Sequence, residues 1–303
     1  MEVLYPCCCG LDVHKKSITA CVLWAGEKGK SRLEKRRFGT FTQDLLRLAD
    51  WLRECGVTHV AMESTGVYWK PVWNILEGQF EVLLVNAQHI KAVPGRKTDQ
   101  KDSAWIADLL QHGLLRGSFV PPRPTRELRD LTRYRVSLTQ EINRIANRVQ
   151  KVLEDANIKL ASVATNSLGA SGRAMLEAML VGEEDATRLA EMSKGLLRNK
   201  IPQLRLALEG RMNEHHRFLL RQLYDHLLFT EGKLREIEQE IARRMRPFEE
   251  EVARLCTIPG VDRVTAHGLL AEIGLNMDQF PSAAHLASWA CLCPGNFESA
   301  GSG

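Results

Sequence analysis

Along the first 120 residues, apolar and polar positions alternate between two periods. Residues 7–25 (CCCGLDVHKKSITACVLWA) hold two apolar runs separated by a polar stretch around His14 to Ser17, the pattern of two strands joined by a turn. Residues 33–42 add a third strand to that hairpin. Residues 43–55 (QDLLRLADWLREC) change to helical spacing, and 57–62 (VTHVAM) form a short apolar strand ending at Glu63. A helix follows over 67–78, a buried strand over 80–85 (FEVLLV), and helical spacing again over 99–116. Strands that begin as a hairpin and then alternate with helices predict a mixed α/β sheet.

The pattern changes after the PPRP cluster at 121–124, which marks a domain boundary. Apolar residues recur every seventh position at Leu131, Leu138, Ile145 and Val152, with Ile142 and Val149 in the companion register. A longer series runs Leu220, Leu227, Leu234, Ile241, Phe248 and Leu255. Such seams face a partner helix, either in a dimerising coiled coil or within one chain. Arg135, Thr230 and Arg244 interrupt the companion positions. The stretch 160–210 shows no period that assigns it. From 255 onward, an Ile258-Pro259-Gly260-Val261 turn between two helical patterns resembles a helix-hairpin-helix, in which Gly260 would let backbone amides approach a phosphate. The organisation read from the pattern is α/β plus α. A mixed-sheet domain covers 1–120, a helical, coiled-coil region 121–254, and a small helical C-terminal domain 255–303.

Composition narrows the picture only a little. Hydrophobic residues make up 44% and charged residues 26% of 303, with a net charge of +4, which permits a nucleic-acid partner without demanding one. No apolar stretch reaches the roughly 20 residues that cross a bilayer, and no signal peptide is read at the N-terminus, so a cytoplasmic location is expected. The eight cysteines lack paired CxxC spacing and read as buried, reduced thiols rather than zinc ligands.

The acids of the first region carry the candidate chemistry. Asp12 interrupts an apolar strand, a costly place for a carboxylate unless a cation or hydrogen bonds compensate. Glu63 stands where the next apolar strand ends, and Asp99 and Asp102 lie three apart at a helix start, on one side of its first turn. Singly, each has a plain explanation as a cap, a turn residue or a loop acid. Together they form a hard-oxygen donor set suited to Mg2+ or Mn2+ and to phosphodiester cleavage. Asp108 points elsewhere and reads as a surface acid.

Cations support a nucleic-acid partner locally. Between 123 and 159 nine basic residues, Arg126, Arg133, Arg144 and Arg148 among them, face five acids, an excess that would neutralise phosphates; a solvated helix face is the plain alternative. His89, Lys91, Arg96, Lys97 and Lys101 flank the acids and could hold a DNA or RNA backbone. Trp69, Trp73 and Trp105 occupy helical positions and read as core.

The segments GLDVHKKSITACV, VAMESTGVYWKPVWNILE, NAQHIKAVPGRKTDQKDSAWIADLLQHGLL and IPGVDRVTAHGLLAEIG closely resemble the DEDD transposases of the IS-one-ten insertion-sequence family. The resemblance implies an RNase H-like (RuvC-like) domain in which Asp12, Glu63, Asp99 and Asp102 bind metal. The run PGNFESAG at 294–301 resembles the family's serine motif, which makes Ser299 the implied nucleophile of a covalent phosphoserine intermediate. The resemblance further implies DNA recombination by a homo-oligomer guided by an element-encoded RNA. Family members continue past this serine, so the chain ending at Gly303 reads as C-terminally truncated. Two other readings fit the same residues: a RuvC-like junction resolvase or nuclease, which needs the acids but not Ser299, and a truncated, non-catalytic nucleic-acid-binding copy.

Overall fold

A computed structural model describes residues 2–26, 31–64, 66–86 and 102–290. The chain divides into two compact units, Met1–Val120 and Pro121–Gly303.

The first unit is built on one six-stranded sheet of order β3-β2-β1-β4-β5-β6. Strands β1 (Cys7–Val13), β2 (Ile18–Trp24) and β3 (Arg32–Phe38) form the expected antiparallel hairpin and its third strand. β4 (His59–Glu63) runs parallel to β1, β5 (Glu81–Val85) parallel to β4, and the two-residue β6 (Gly117–Ser118) closes the edge. The third strand stops at Phe38 rather than at 42. Thr42 already opens α1 (Thr42–Glu54), where the Asp44 carboxylate accepts from the Phe41 amide at 3.3 Å and fixes the start.

Strand alternation divides the core into two layers. On one face Cys9, Leu11, Val13, Ile18, Ala20, Val60 and Met62 pack against α1 and α2 (Trp69–Leu76). The other face, with Cys8, Cys21, Leu23, Ala61 and Val85, is covered by α3 (Asp102–Gln111) through Ala104, Ile106, Ala107 and Leu110. Burial on both faces explains why β1 reads as a nearly continuous apolar run rather than a strict alternation. Trp69 and Trp73 are partly buried against the first layer.

In the second unit the PPRP cluster is a helix start. Pro122 precedes α4 (Arg123–Asp155) and Pro124 sits in its first turn, where a missing N–H costs nothing. Four short helices follow: α5 (Leu160–Val163), α6 (Ala170–Leu180), α7 (Ala186–Glu191) and α8 (Ile201–Leu208). The second long helix, α9 (Glu214–Met245), runs antiparallel to α4, as the contacts Arg244–Glu127, His226–Glu141 and His216–Asp155 show. The seam is thus filled within the chain by Leu138, Ile145 and Val149 from α4 and Leu220, Tyr224 and Leu227 from α9. The interruptions are satisfied too: buried Arg135 donates to the Val264 carbonyl at 2.9 Å and Thr230 to the His226 carbonyl at 2.8 Å.

The second heptad series does not stay on one helix. Pro247, which lacks an N–H, lies in a 3-10 turn at Arg246–Phe248, and a separate helix α10 (Glu249–Leu255) carries Leu255. Helix α11 (Arg263–Ile273) packs on α4 through Ala266, Leu270 and Ala271, and α12 (Ala283–Trp289) follows. Among the described residues, no helix is long and apolar enough to cross a membrane.

Candidate active site

The sheet register brings Asp12 and Glu63 together. β1 and β4 pair in parallel with Cys8 opposite His59, Gly10 opposite Ala61 and Leu11 opposite Met62, so one step on Asp12 stands beside Glu63. Both belong to the alternation of Cys8, Gly10 and Ala61, which face α3. That helix lies directly on β1. A Cβ placed on Gly10 would fall 2.2 Å from the Ser103 carbonyl oxygen and 2.4 Å from the Ala107 amide nitrogen. Helix α3 therefore begins above Gly10, with Asp102 in its first turn, one residue before Ser103. Three of the four predicted acids are thus carried by the C-terminal ends of two adjacent strands and the start of the helix that covers them.

Asp12 remains accessible there. Its neighbours Leu11 and Val13 are buried on the opposite face, whereas the Asp12 side chain is 23% exposed. Its carboxylate meets His14 Nε2 at 3.2 Å, a neighbour that follows from the turn and that the sequence pattern did not single out. Glu63 is half-buried and Asp102 exposed. Beneath the site the hydroxyl of Ser103 is buried without a hydrogen-bond partner. The chemistry of the donors, carboxylate oxygens at one open end of a sheet, fits a hard divalent cation. Among the described residues, no group of three or more His, Cys, Asp or Glu side chains is placed to hold a metal ion. Asp99, Arg96, Lys97, Lys101 and Ser299 lie outside the described residues.

The thiols close to this site are unreactive by environment. Cys8, Cys9 and Cys21 are fully buried and unpaired. Burial pushes Cys8 up to about 12 and Cys21 up to about 11, and Cys9 well above its ordinary value. They are protonated apolar packing, as their spacing predicts.

In the second unit the predicted phosphate-binding cations divide into two kinds. Arg133 forks onto Glu272 at 2.7 and 2.9 Å, and Arg126 donates to the Pro121 carbonyl at 2.9 Å. Among the described residues Arg144 donates to the Gln140 carbonyl at 3.3 Å, and with Arg148 and Lys151 it leaves an exposed basic stretch on α4. The α10–turn–α11 segment places Gly260 at φ +84°, a conformation that L side chains rarely adopt. At the start of α11 the Asp262 carboxylate already accepts from the Thr265 amide at 2.8 Å, so a phosphate there would have to share or displace that cap. Asp108, as expected, is a surface acid, 3.6 Å from His112.

Comparison with known proteins gives a consistent assignment. Residues 9–158 match a family described as Transposase, of the DEDD IS110 type, and residues 252–303 match one described as Transposase IS116/IS110/IS902 family. The transposase for insertion sequence element IS1328 of Yersinia enterocolitica is 23% identical over 268 residues, covering 88% of this chain and 67% of that relative. The Thermus thermophilus RuvC structure aligns over 37% of this chain and 99% of its own at 15% identity, with a TM-score of 0.29, a likeness too weak to bear on the fold.

Proposed function

The chain belongs to the IS116/IS110/IS902 transposase family, and from that premise we propose that it is a DNA recombinase of an insertion sequence, acting at the acid-lined end of its sheet. The observation that carries this reading is the register that sets Asp12 beside Glu63 on the face covered by α3, with Asp102 in that helix's first turn. The first unit, an antiparallel β1-β2-β3 meander followed by parallel β4 and β5, is read as RNase H-like (RuvC-like). The proposed domains are 1–120 for this acidic unit, 121–254 for the helical region and 255–303 for the C-terminal transposase domain.

Asp12, Glu63 and Asp102, together with Asp99, are the carboxylates that would hold Mg2+ or Mn2+. When bound, the cation supplies Lewis-acid stabilisation of charge on a phosphate in cleavage. The carboxylates fix where the phosphate lies, and His14 restrains Asp12 from the turn side. The amides at the start of α3 add a positive field at the same place. In the family pattern Ser299 is the nucleophile. Its hydroxyl loses a proton, an Oγ–P bond forms as the P–O bond to the departing deoxyribose breaks, and the departing oxygen takes up a proton. The phosphoserine bond keeps the energy needed to rejoin strands. Guidance by an element-encoded RNA and assembly into a homo-oligomer through the helical region rest on the family pattern, and the exposed Arg144–Arg148–Lys151 stretch offers cations for a nucleic-acid backbone.

The test is recombination in cells supplied with the element's ends and flanking RNA, read as new DNA junctions. Junctions lost in both Asp12→Asn and Ser299→Ala support the proposal. Strand cleavage that survives Ser299→Ala but not Asp12→Asn would leave a RuvC-like nuclease instead. Junction formation unaffected by Asp12→Asn would refute the acidic site.

A further inference from the structure

The sheet continues past Asp12 in the direction away from Glu63. Across the antiparallel pairs Asp12 lies opposite Thr19 and Thr19 opposite Arg37, while Gly10 lies opposite Cys21 and Cys21 opposite Lys35. Directly opposed residues share a face, so Arg37 and Lys35 of the edge strand β3 lie on the same face as the carboxylates. Two strand spacings separate Arg37 from Asp12, about 10 Å between backbones. Both cations are exposed.

The basic residues of β3 divide by face. On the α1 side, Arg32 lies over the Trp24 ring at 4.9 Å, and Arg36 lies over the Trp51 ring at 4.9 Å and donates to Glu34 at 3.0 Å. Those two guanidinium groups complete the edge of the core. On the acid-bearing side, neither Lys35 nor Arg37 makes an ion pair among the described residues. Arg37 donates to the neutral Ser17 hydroxyl at 3.0 Å, which ties it to the β1–β2 turn where Lys15 and Lys16 are exposed. Unpaired cations beside a row of carboxylates complement a polyanion whose one phosphate is at the acids and whose neighbours extend over β2 and β3.

We propose that this face of β3 is the track for the DNA strand being cut, with Lys35 and Arg37 neutralising phosphates adjacent to the one at the acidic site. The proposal rests on the acidic-site reading above and extends it to the strand's path. A plainer role for charges on an edge strand is to block pairing with another sheet. That role makes no distinction between the two faces, and so the two readings predict different results.

The experiment is fluorescence anisotropy of a labelled DNA single strand binding to the full chain in EDTA, over a range of salt concentrations. Replacing Lys35 and Arg37 together with Gln should lower the slope of log K against log[salt] by about 1.4, the loss of two single-strand phosphate contacts. Replacing Arg32 and Arg36 with Gln should leave the slope unchanged, and Arg37→Lys should keep it, because the charge remains. A slope that stays the same in the Lys35/Arg37 variant, or falls equally in both double variants, overturns the proposal. So does a fall seen only with an RNA strand of the same sequence. Cleavage by Asp12→Asn is measured in parallel with Mg2+ present: if that variant cuts like wild type, the acidic-site reading fails whatever the slopes show.

Discussion

Gly10 is the point where fold and site meet, and replacing it with Ala tests the arrangement of both. The new methyl would lie 2.2 Å from the Ser103 carbonyl oxygen and 2.4 Å from the Ala107 amide nitrogen. Both are backbone atoms of α3, so no change of rotamer relieves the clash. Helix α3 must retreat by roughly 1 Å for the contacts to reach ordinary van der Waals separation. Overpacking of this kind costs about 1–3 kcal/mol, which for a unit of this size corresponds to a fall in melting temperature of roughly 4–12 °C. Asp102 rides on the first turn of the same helix and moves with it. A displacement of about 1 Å at a catalytic group can cost on the order of a hundredfold in rate. Scanning calorimetry would report the first effect, and a Mg2+ titration of strand cleavage the second, as a higher metal midpoint at a temperature where the variant is fully folded. Gly117→Ala is the control, since its Cβ would meet Leu83 at an ordinary 3.7 Å. If Gly10→Ala melts with wild type and keeps its metal midpoint, α3 does not sit on β1 in this way and the proposed part of Asp102 in the acidic site fails.

Three other outcomes follow from the packing and the charges. Leu227, fully buried where α9 meets α4, should cost about 2–5 kcal/mol when cut to Ala, seen as a lower urea midpoint with an unchanged slope; a neutral result would refute the intrachain seam. His267 has a buried Nε2 without a partner, and burial, then the Arg263 and Arg135 charges, lower its pKa from 6.5. Its contribution to stability is full above 6.5 and is lost as pH falls below that value through the lowered folded pKa, because the unfolded chain takes a proton that the folded one refuses. His267→Gln should therefore flatten the loss of stability between neutral and mildly acidic pH; an identical pH profile would show that His267 is not held neutral. Cys8, Cys9 and Cys21 should resist iodoacetamide in the native chain at mildly alkaline pH and react once it is unfolded in urea, and modification of the native chain detected by mass spectrometry would contradict their burial.

The parts of this fold that the sequence makes legible are those set by local period. The β1–β2 hairpin, α1 and the two long helices can all be read from spacing, because each buries a continuous stripe or face. The helices of 160–210 cannot: they are only four to eleven residues long, so a buried face such as that of Met175, Leu176, Met179 and Leu180 spans too few turns to establish a period. β6 has two residues, too few to leave any pattern. Charge is legible only as a sum. Arg133 looks like an open phosphate ligand until Glu272, distant in sequence, is found forked onto it. The sorting of the β3 cations is likewise invisible in RLEKRRF, because it depends on which face meets Trp24 and Trp51. Asp12 stands out as a lone polar residue in an apolar run, but its pairing with Glu63 is set by a parallel register that no local signal encodes.

That register also explains why a carboxylate is tolerated in such a strand at all. α3 covers Cys8 and presses on Gly10, so the strand is sealed up to that point. Asp12 comes one step later on the same face, at the level where the helix has only its first turn to offer, and its side chain keeps contact with water. A carboxylate four residues earlier, in place of Cys8, would be fully enclosed and would have to be neutralised or paired. One two further on would leave the strand for the turn at His14. The position of α3 therefore confines an ionised acid on this face of β1 to the place of Asp12. The first-turn amides that α3 brings there favour the same negative charge. The close approach allowed by Gly10 and the tolerance of Asp at position 12 are in this sense linked: the glycine lets α3 press on β1 at Ser103 and Ala107, and the acid stands one step beyond that contact on the same face.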